Sequence, residues 1–361
     1  MQNPIHYLSF QAKTAPNNSC LITHSQILNY KDIFNIIQRV SSEFKIMGLK
    51  KGDLIATSFK DPALDFIVTL ASFQLGLTTC ALHAGFSVPS NIHPKLILTD
   101  SNTKNALHRS EIFQIDKSWF QKIQSNTINN LIENYESDDL IRLILSSGTT
   151  GNSKVIALDF QKFSKRLLNG LSYWITSSSE INLQALSTVG GIFTVMERLY
   201  LGLPIFLSPQ PTKLISEHEI FSLTGSPTQI SDFIDKVKNL NIRRLDQVTI
   251  SGGMISENLH QRIIESLTDF TRNVYGSTEI GGISLLRIDK HKPTYGCGQL
   301  LPEIEIDILS DDSSQNDGLI RLKSPNMVTK YFNDEESTKK YFRDGWFYPG
   351  ERGYVTKYGL L

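Results

Sequence analysis

The chain has 361 residues, of which 40% are hydrophobic, and it balances 36 lysines and arginines against 36 aspartates and glutamates. That length exceeds one ordinary domain, and the apolar share is enough for a buried core divided into subdomains. A formal charge of zero provides no long-range field toward nucleic acid or an anionic membrane, so any anion site has to be local.

The opening MQNPIHYLSFQAKT lacks a basic segment followed by an apolar one, which argues against a secretory signal and leaves the cytoplasm as the expected compartment. YKDIFNIIQRVSSEFKIMG spaces Ile33, Ile36, Ile37, Val40 and Phe44 at helical intervals and ends at Gly48, a residue suited to a helix C-terminus. KKGDLIATSF predicts a turn and a strand, followed by a helix from about Pro62 to Leu75. The most apolar stretch, Ala63 to Gly85, is broken by Asp65, Gln74 and His83, so it reads as a buried helix and a strand, with no membrane span. PKLILTD and IRLILSS are short buried strands, and the polar IDKSWFQKIQSNTINNLIEN between them carries no assignable element. FQKFSKRLLNGLSYW and NLHQRIIESL are helical, whereas LPIFLS, DQVTISGG and RNVYG are strand-like. Alternation of this kind predicts an α/β fold, with mixed, largely parallel sheets flanked by helices in two subdomains.

From Lys292 the pattern changes to the short β segments IEIDIL, GLIRLKS and WFYPGERGYV, with SDDSSQNDG as a hairpin loop. Residues 292–361 therefore read as a small β-rich subdomain behind an α/β region of residues 1–291. Cys20, Cys80 and Cys297 have no CxxC spacing and are expected to be reduced, buried thiols.

The stretch LILSSGTTGNSKVIAL concentrates glycines, hydroxyl side chains and Lys154 between two apolar runs. Small residues let successive backbone N–H groups converge on an anion. A Walker loop would need glycine before the lysine and Ser or Thr after it, and would open a helix; here Ser153 and Val155 flank Lys154, and VIAL reads as a strand. Composition alone leaves a phosphate-binding loop and a plain hairpin loop equally open.

SSGTTGNSK nevertheless resembles the signature loop of the adenylate-forming superfamily, whose usual pattern is [ST]SGTTGxPKG; Ser153 and Val155 are the departures. The resemblance implies that Ser146, Ser147, Gly148, Thr149, Thr150, Gly151 and Lys154 hold the ATP phosphates. NVYGSTEIGG is similar to the family's YGxTE signature. It implies that Tyr275 stacks on adenine with Asn273 and Gly276 beside it, that Thr278 lies near the α-phosphate, and that Glu279 binds Mg2+, a cation that prefers carboxylate oxygen. VTISGGMIS resembles the segment bordering adenine through Gly252 and Gly253, and DGWFYPGERGYV resembles GWxxTGDxGxx, with Glu351 standing where the family's ribose-binding aspartate would be. These matches follow family order along nearly the whole chain.

The implied function is ATP-dependent activation of a carboxylic acid to an acyl-adenylate, with Lys154, Thr278 and Glu279 as the catalytic residues. Thioester formation on coenzyme A or a carrier-protein phosphopantetheine would follow. LSTVGGIFTV carries no carboxylate to pair with a substrate ammonium, so a fatty or aromatic acid is expected rather than an amino acid; Ser187, Thr188, Gly190 and Gly191 either leave it space or form a strand-to-helix turn, two readings the residues leave equally open. Family members continue past the GWxxTGD segment into a mobile C-terminal domain that this sequence lacks, so the expectation includes such a domain, or a carrier protein, as a separate partner. The second hypothesis is a truncated, catalytically weak paralogue that holds nucleotide or an acyl group as a binding module. Neutral charge and the absence of a basic stripe exclude a nucleic-acid partner.

Overall fold

The computed structural model describes residues 2–82, 88–101, 110–126, 128, 130–146, 153–173, 177–291, 296–310 and 317–356. Ser147, Gly148, Thr149, Thr150 and Gly151 of the signature loop lie outside the described residues. The chain forms two compact units, Met1–Ser178 with Ala185–Leu214, and Ser179–Gln184 with Ile215–Leu361. The break expected at residue 292 thus falls inside the second unit.

In the first unit, the strands Glu111–Gln114, Leu96–Thr99, Leu54–Ser58, Thr78–Ala81, Leu140–Ser146 and Lys154–Asp159 form one sheet in that order. All its pairings are parallel except the last. Leu96–Thr99 and Thr78–Ala81 are buried along their whole length, as near-continuous apolar runs require in a covered parallel sheet. The expected helices form at Tyr30–Ile46 and Pro62–Gln74. The Asn29 side chain accepts from the Asp32 N–H, and that of Asp61 from the Ala63 N–H, so both helices begin at a side-chain cap. Gly48 takes φ +79° just past the first helix, a conformation that favours glycine. No helix among the described residues is long and apolar enough to cross a membrane.

Several elements escaped the sequence pattern, among them the helices Ile5–Thr14 and Pro227–Val237. Lys117–Ile123 is a helix, started by Asp116 accepting from the Trp119 N–H at 2.9 Å. It holds its place by burying Trp119 against Phe44, Phe113 and Phe120. Under two turns long and anchored by one aromatic residue, it is too short for periodicity to register.

In the second unit, Glu180–Asn182, Ser222–Gly225, Gln247–Ser251 and Phe270–Ser277 are successive parallel neighbours. Gly281–Asp289 and Gln299–Leu300 extend the set antiparallel. Beyond them a separate sheet forms from Glu305–Leu309, Gly318–Lys323, Trp346–Phe347, Phe342–Arg343 and Arg352–Gly353. Glu305–Leu309 and Gly318–Lys323 pair antiparallel, as expected for strands on either side of a hairpin loop. Ile320, Leu322, Met327 and Phe347 of this β-rich part share one apolar cluster with Ile280 and Ile283. That packing fixes the β-rich sheet directly behind residues 278–283, where one of the signature motifs lies.

Candidate active site

Ligand sites in α/β folds form at the carboxyl ends of parallel strands, where loops leave the sheet. In the second unit the strand Gln247–Ser251 ends in Gly252 and Gly253, and its neighbour Phe270–Ser277 ends in Thr278 and Glu279. The two motifs, some twenty-five residues apart in sequence, are therefore brought to adjacent strand ends. Gly252 adopts φ +80°, which favours glycine there, and a Cβ on Gly253 would crowd the Pro227 ring at 3.1 Å, so a larger residue would have to displace it slightly. The Ser251 hydroxyl accepts from Gln184 Nε2 at 2.9 Å, joining this strand end to the segment after Glu180–Asn182.

The pairing of Phe270–Ser277 with Gly281–Asp289 slips between Tyr275 and Gly276. A Cβ on Gly276 would approach the Gly281 carbonyl oxygen to 2.6 Å, so the bulge tolerates only glycine there. The bulge changes the side-chain alternation at the point where the motif begins. Asn273, 3% exposed, donates from Nδ2 to the Gly296 carbonyl at 3.2 Å, while its buried Oδ1 has no hydrogen-bond partner among the described residues.

Tyr275 is half-buried, and its hydroxyl donates to the Glu351 carboxylate. Burial, reinforced by that hydrogen bond and by the negative charge, raises the phenol above its ordinary pKa. Thr278 and Glu279 occupy the tight turn between the two antiparallel strands, and Glu279 is buried at 7% exposure. Its Oε1 accepts from the Tyr331 hydroxyl at 2.8 Å, and its backbone carbonyl accepts from the Val328 N–H at 2.9 Å. Tyr331 was not singled out in the sequence. Burial first, and then the Glu279 charge, raise its phenol as well.

The remaining expected residues lie in the first unit. Ser146 closes the strand Leu140–Ser146 and is in register with Lys154, the first residue of Lys154–Asp159. The Ser146 hydroxyl donates to the Lys154 carbonyl at 3.4 Å. A strand on each side of the loop, with no helix after it, is what distinguishes this segment from a Walker loop. Thr188 does not simply leave space: its Oγ1 accepts from the Gly191 N–H at 3.1 Å and donates to the Ala185 carbonyl at 2.8 Å, starting the helix Val189–Leu201.

Arg142, on the strand that leads to Ser146, is fully buried. Its guanidinium donates to Thr79 Oγ1 at 3.0 Å and to the Leu186 carbonyl at 2.7 Å. Burial lowers its pKa and raises that of Asp65, with the Coulombic attraction between the two opposing both shifts. Nothing in the hydrophobic run around Arg142 marks it as the centre of a polar cluster.

Comparison with known proteins extends this geometry. The sequence model of the AMP-binding enzyme family matches residues 8–332. A 2-succinylbenzoate–CoA ligase of Oceanobacillus iheyensis is 22% identical over 386 aligned positions, covering 99% of this chain and 78% of the ligase. The crystal structure of VinN superposes with a TM-score of 0.84 at 19% identity, covering 99% of this chain and 97% of that one. An o-succinylbenzoate coenzyme A synthetase from Bacillus subtilis, in complex with ATP and magnesium ion, superposes with a TM-score of 0.78 at 19% identity, over 100% of this chain and 78% of that one. With the glycine turn and the YGSTE hairpin at neighbouring strand ends, the family match over nearly the full length identifies the chain as a member of the AMP-binding enzyme family.

Proposed function

We propose that this chain activates a carboxylic acid with ATP, forming an acyl-adenylate and pyrophosphate, and that the acyl group then passes to the thiol of coenzyme A. The observation that carries this reading is the match to the AMP-binding enzyme family over residues 8–332, with both nucleotide motifs at adjacent strand ends. Gly252, Gly253, Asn273 and Tyr275 would receive adenine, with Gly276 permitting the bulge that presents the ring. Glu351 would take the ribose and Thr278 the α-phosphate. Ser146, Ser147, Gly148, Thr149, Thr150, Gly151 and Lys154 would hold the departing pyrophosphate.

In the first step a substrate carboxylate oxygen bonds to the α-phosphorus. The bond from that phosphorus to the bridging oxygen breaks, and pyrophosphate leaves with the electron pair. No protein nucleophile is required, so the residues act by positioning and by charge. Lys154 offsets negative charge accumulating on the leaving group. No cluster of three or more metal-ligating side chains exists among the described residues. A single buried carboxylate, Glu279, suits Mg2+, which typically binds one or two carboxylates together with substrate phosphates. When bound, Mg2+ supplies charge neutralisation on those phosphates.

The acid is proposed to be aromatic or fatty rather than an amino acid. The segment from Leu186 to Val195 contains no carboxylate that could pair with an ammonium, and the Oceanobacillus relative is named for an aromatic acid. Coenzyme A, or a carrier-protein phosphopantetheine, would be the thiol acceptor, with a C-terminal domain or carrier protein as a separate partner for the second step. The proposed compartment is the cytoplasm.

Pyrophosphate exchange into ATP, measured with a panel of aromatic and fatty acids with and without an added C-terminal domain, tests the reading. Acid-dependent exchange is expected. Absence of exchange in both settings, with ATP binding intact, would instead establish a binding module. One observation favours that second reading: Glu351 is already engaged by the Tyr275 hydroxyl.

A further inference from the structure

Tyr331 lies 52 residues beyond Glu279 in sequence, yet its hydroxyl reaches the Glu279 carboxylate at 2.8 Å within the folded second unit. The tyrosine itself is 2% exposed. Its backbone N–H donates to Thr338 Oγ1 at 3.0 Å, and that hydroxyl in turn donates to the Asp334 carbonyl at 2.6 Å. The ring meets Tyr341 edge-on at a centroid distance of 6.0 Å and Phe342 at 5.3 Å. Tyr331 is therefore fixed at both its backbone and its ring, and the phenol has little freedom to follow a moving partner.

Glu279 is gripped twice by one short segment, at its backbone carbonyl by the Val328 N–H and at Oε1 by Tyr331. Burying a carboxylate is costly unless hydrogen bonds compensate. A buried tyrosine hydroxyl also seeks an acceptor, so the contact could serve the fold alone. Its location argues for more. The turn carrying Glu279 is held by the β-rich sheet through Ile280 and Ile283, so the backbone is already placed without the phenol. What the phenol adds is the orientation of the carboxylate plane.

We propose that Tyr331 is a positioning residue for Glu279, holding its carboxylate in the orientation that receives the Mg2+ of the nucleotide. This rests on the reading of Glu279 as the magnesium ligand. Groups that hydrogen-bond to a metal-binding side chain set its orientation, and their loss costs roughly 10- to 100-fold in metal affinity.

The test compares ATP binding to the full chain by titration calorimetry in EDTA and in excess Mg2+; the ratio of the two affinities is the magnesium gain. AMP binding in EDTA is the metal-free control. Tyr331→Phe keeps the ring packing and is expected to reduce the magnesium gain about tenfold, with AMP affinity held within about twofold. Glu279→Gln is expected to remove the gain, and Tyr331→Phe added to Glu279→Gln should cost nothing further.

An unchanged gain in Tyr331→Phe overturns the proposal. So does an equal loss of AMP and ATP binding, which would mark the contact as purely structural. If Tyr331→Phe does not fold, Glu279→Asp decides: a carboxylate one methylene shorter should forfeit the gain, and an undiminished gain overturns the proposal. An undiminished gain in Glu279→Gln, or no gain in the wild type, overturns the magnesium reading itself.

Discussion

The Tyr275 hydroxyl donates a hydrogen bond to the Glu351 carboxylate, joining the aromatic residue of the YGSTE hairpin to the acidic residue of GWFYPGERG. Glu351, which stands where the resemblance places an aspartate one methylene shorter, thus meets the phenol through its Oε2. The proposed adenine and ribose positions are therefore coupled before nucleotide arrives.

This coupling predicts a measurable ribose preference. If Glu351 receives the ribose hydroxyls, AMP should bind about tenfold more tightly than 2′,3′-dideoxy-AMP, the worth of a hydrogen bond to a charged group. Glu351→Ala should bring the two affinities together, read by calorimetry. Equal discrimination in the variant would remove Glu351 from the ribose site.

Alkaline pH should weaken the fold through two phenols. Tyr275 and Tyr331 both have pKa values raised above that of the unfolded chain, burial being the main cause and Glu351 and Glu279 adding to it. Their contribution is complete below the unfolded value of about 10 and is lost as pH rises toward the folded values. The urea midpoint should fall above about pH 10, and Tyr331→Phe should make that fall shallower. A variant with the wild-type pH slope would count against this source.

Lys154→Ala is expected to weaken ATP by about tenfold while leaving AMP within about twofold, because AMP lacks the phosphates the ammonium would meet. The fold should be intact, since Lys154 begins a strand and is only half-buried. An equal effect on both nucleotides, measured side by side, would move the lysine away from the pyrophosphate.

Arg142→Ala should be costly for stability. It strips the Thr79 hydroxyl and the Leu186 carbonyl of a donor and leaves Asp65 buried without its compensating charge. Leaving a buried acceptor unsatisfied costs about 1–3 kcal/mol, so the urea midpoint should drop accordingly. A loss below about 1 kcal/mol would mean that the cluster is neutral in the fold.

Local chemistry was readable where one segment carries its own instructions. The paired strands around the glycine and hydroxyl loop followed from two apolar runs, and the helix from Tyr30 followed from isoleucine spacing and Gly48. The same logic passed over Lys117–Ile123, whose stability comes from a cap and one buried tryptophan. At the site, SGG and YGSTE were recognisable through their resemblance to family motifs, not through composition. The tyrosine partners of the two acids did not, because Tyr275–Glu351 and Tyr331–Glu279 span 76 and 52 residues and neither acid carries a mark of its donor. Glycine at 276 was recognisable as a motif letter, but its reason, the nearness of the Gly281 carbonyl, exists only once the hairpin closes.

The placement of the three cysteines has a practical consequence. Cys20 and Cys80 are inaccessible within strands of the first unit, and burial holds the Cys80 thiol up to about 12, so almost no thiolate is present near neutrality. Cys297, half-buried in the second unit, is raised by burial and then by the charge of Glu351. Alkylation kinetics in native buffer consequently report on each unit separately. Cys80 modification clocks the parting of the strand between Leu54–Ser58 and Leu140–Ser146, while Cys297 modification follows the surroundings of the Tyr275–Glu351 contact. The native sulfur atoms thus serve as built-in chronometers, one set for each unit.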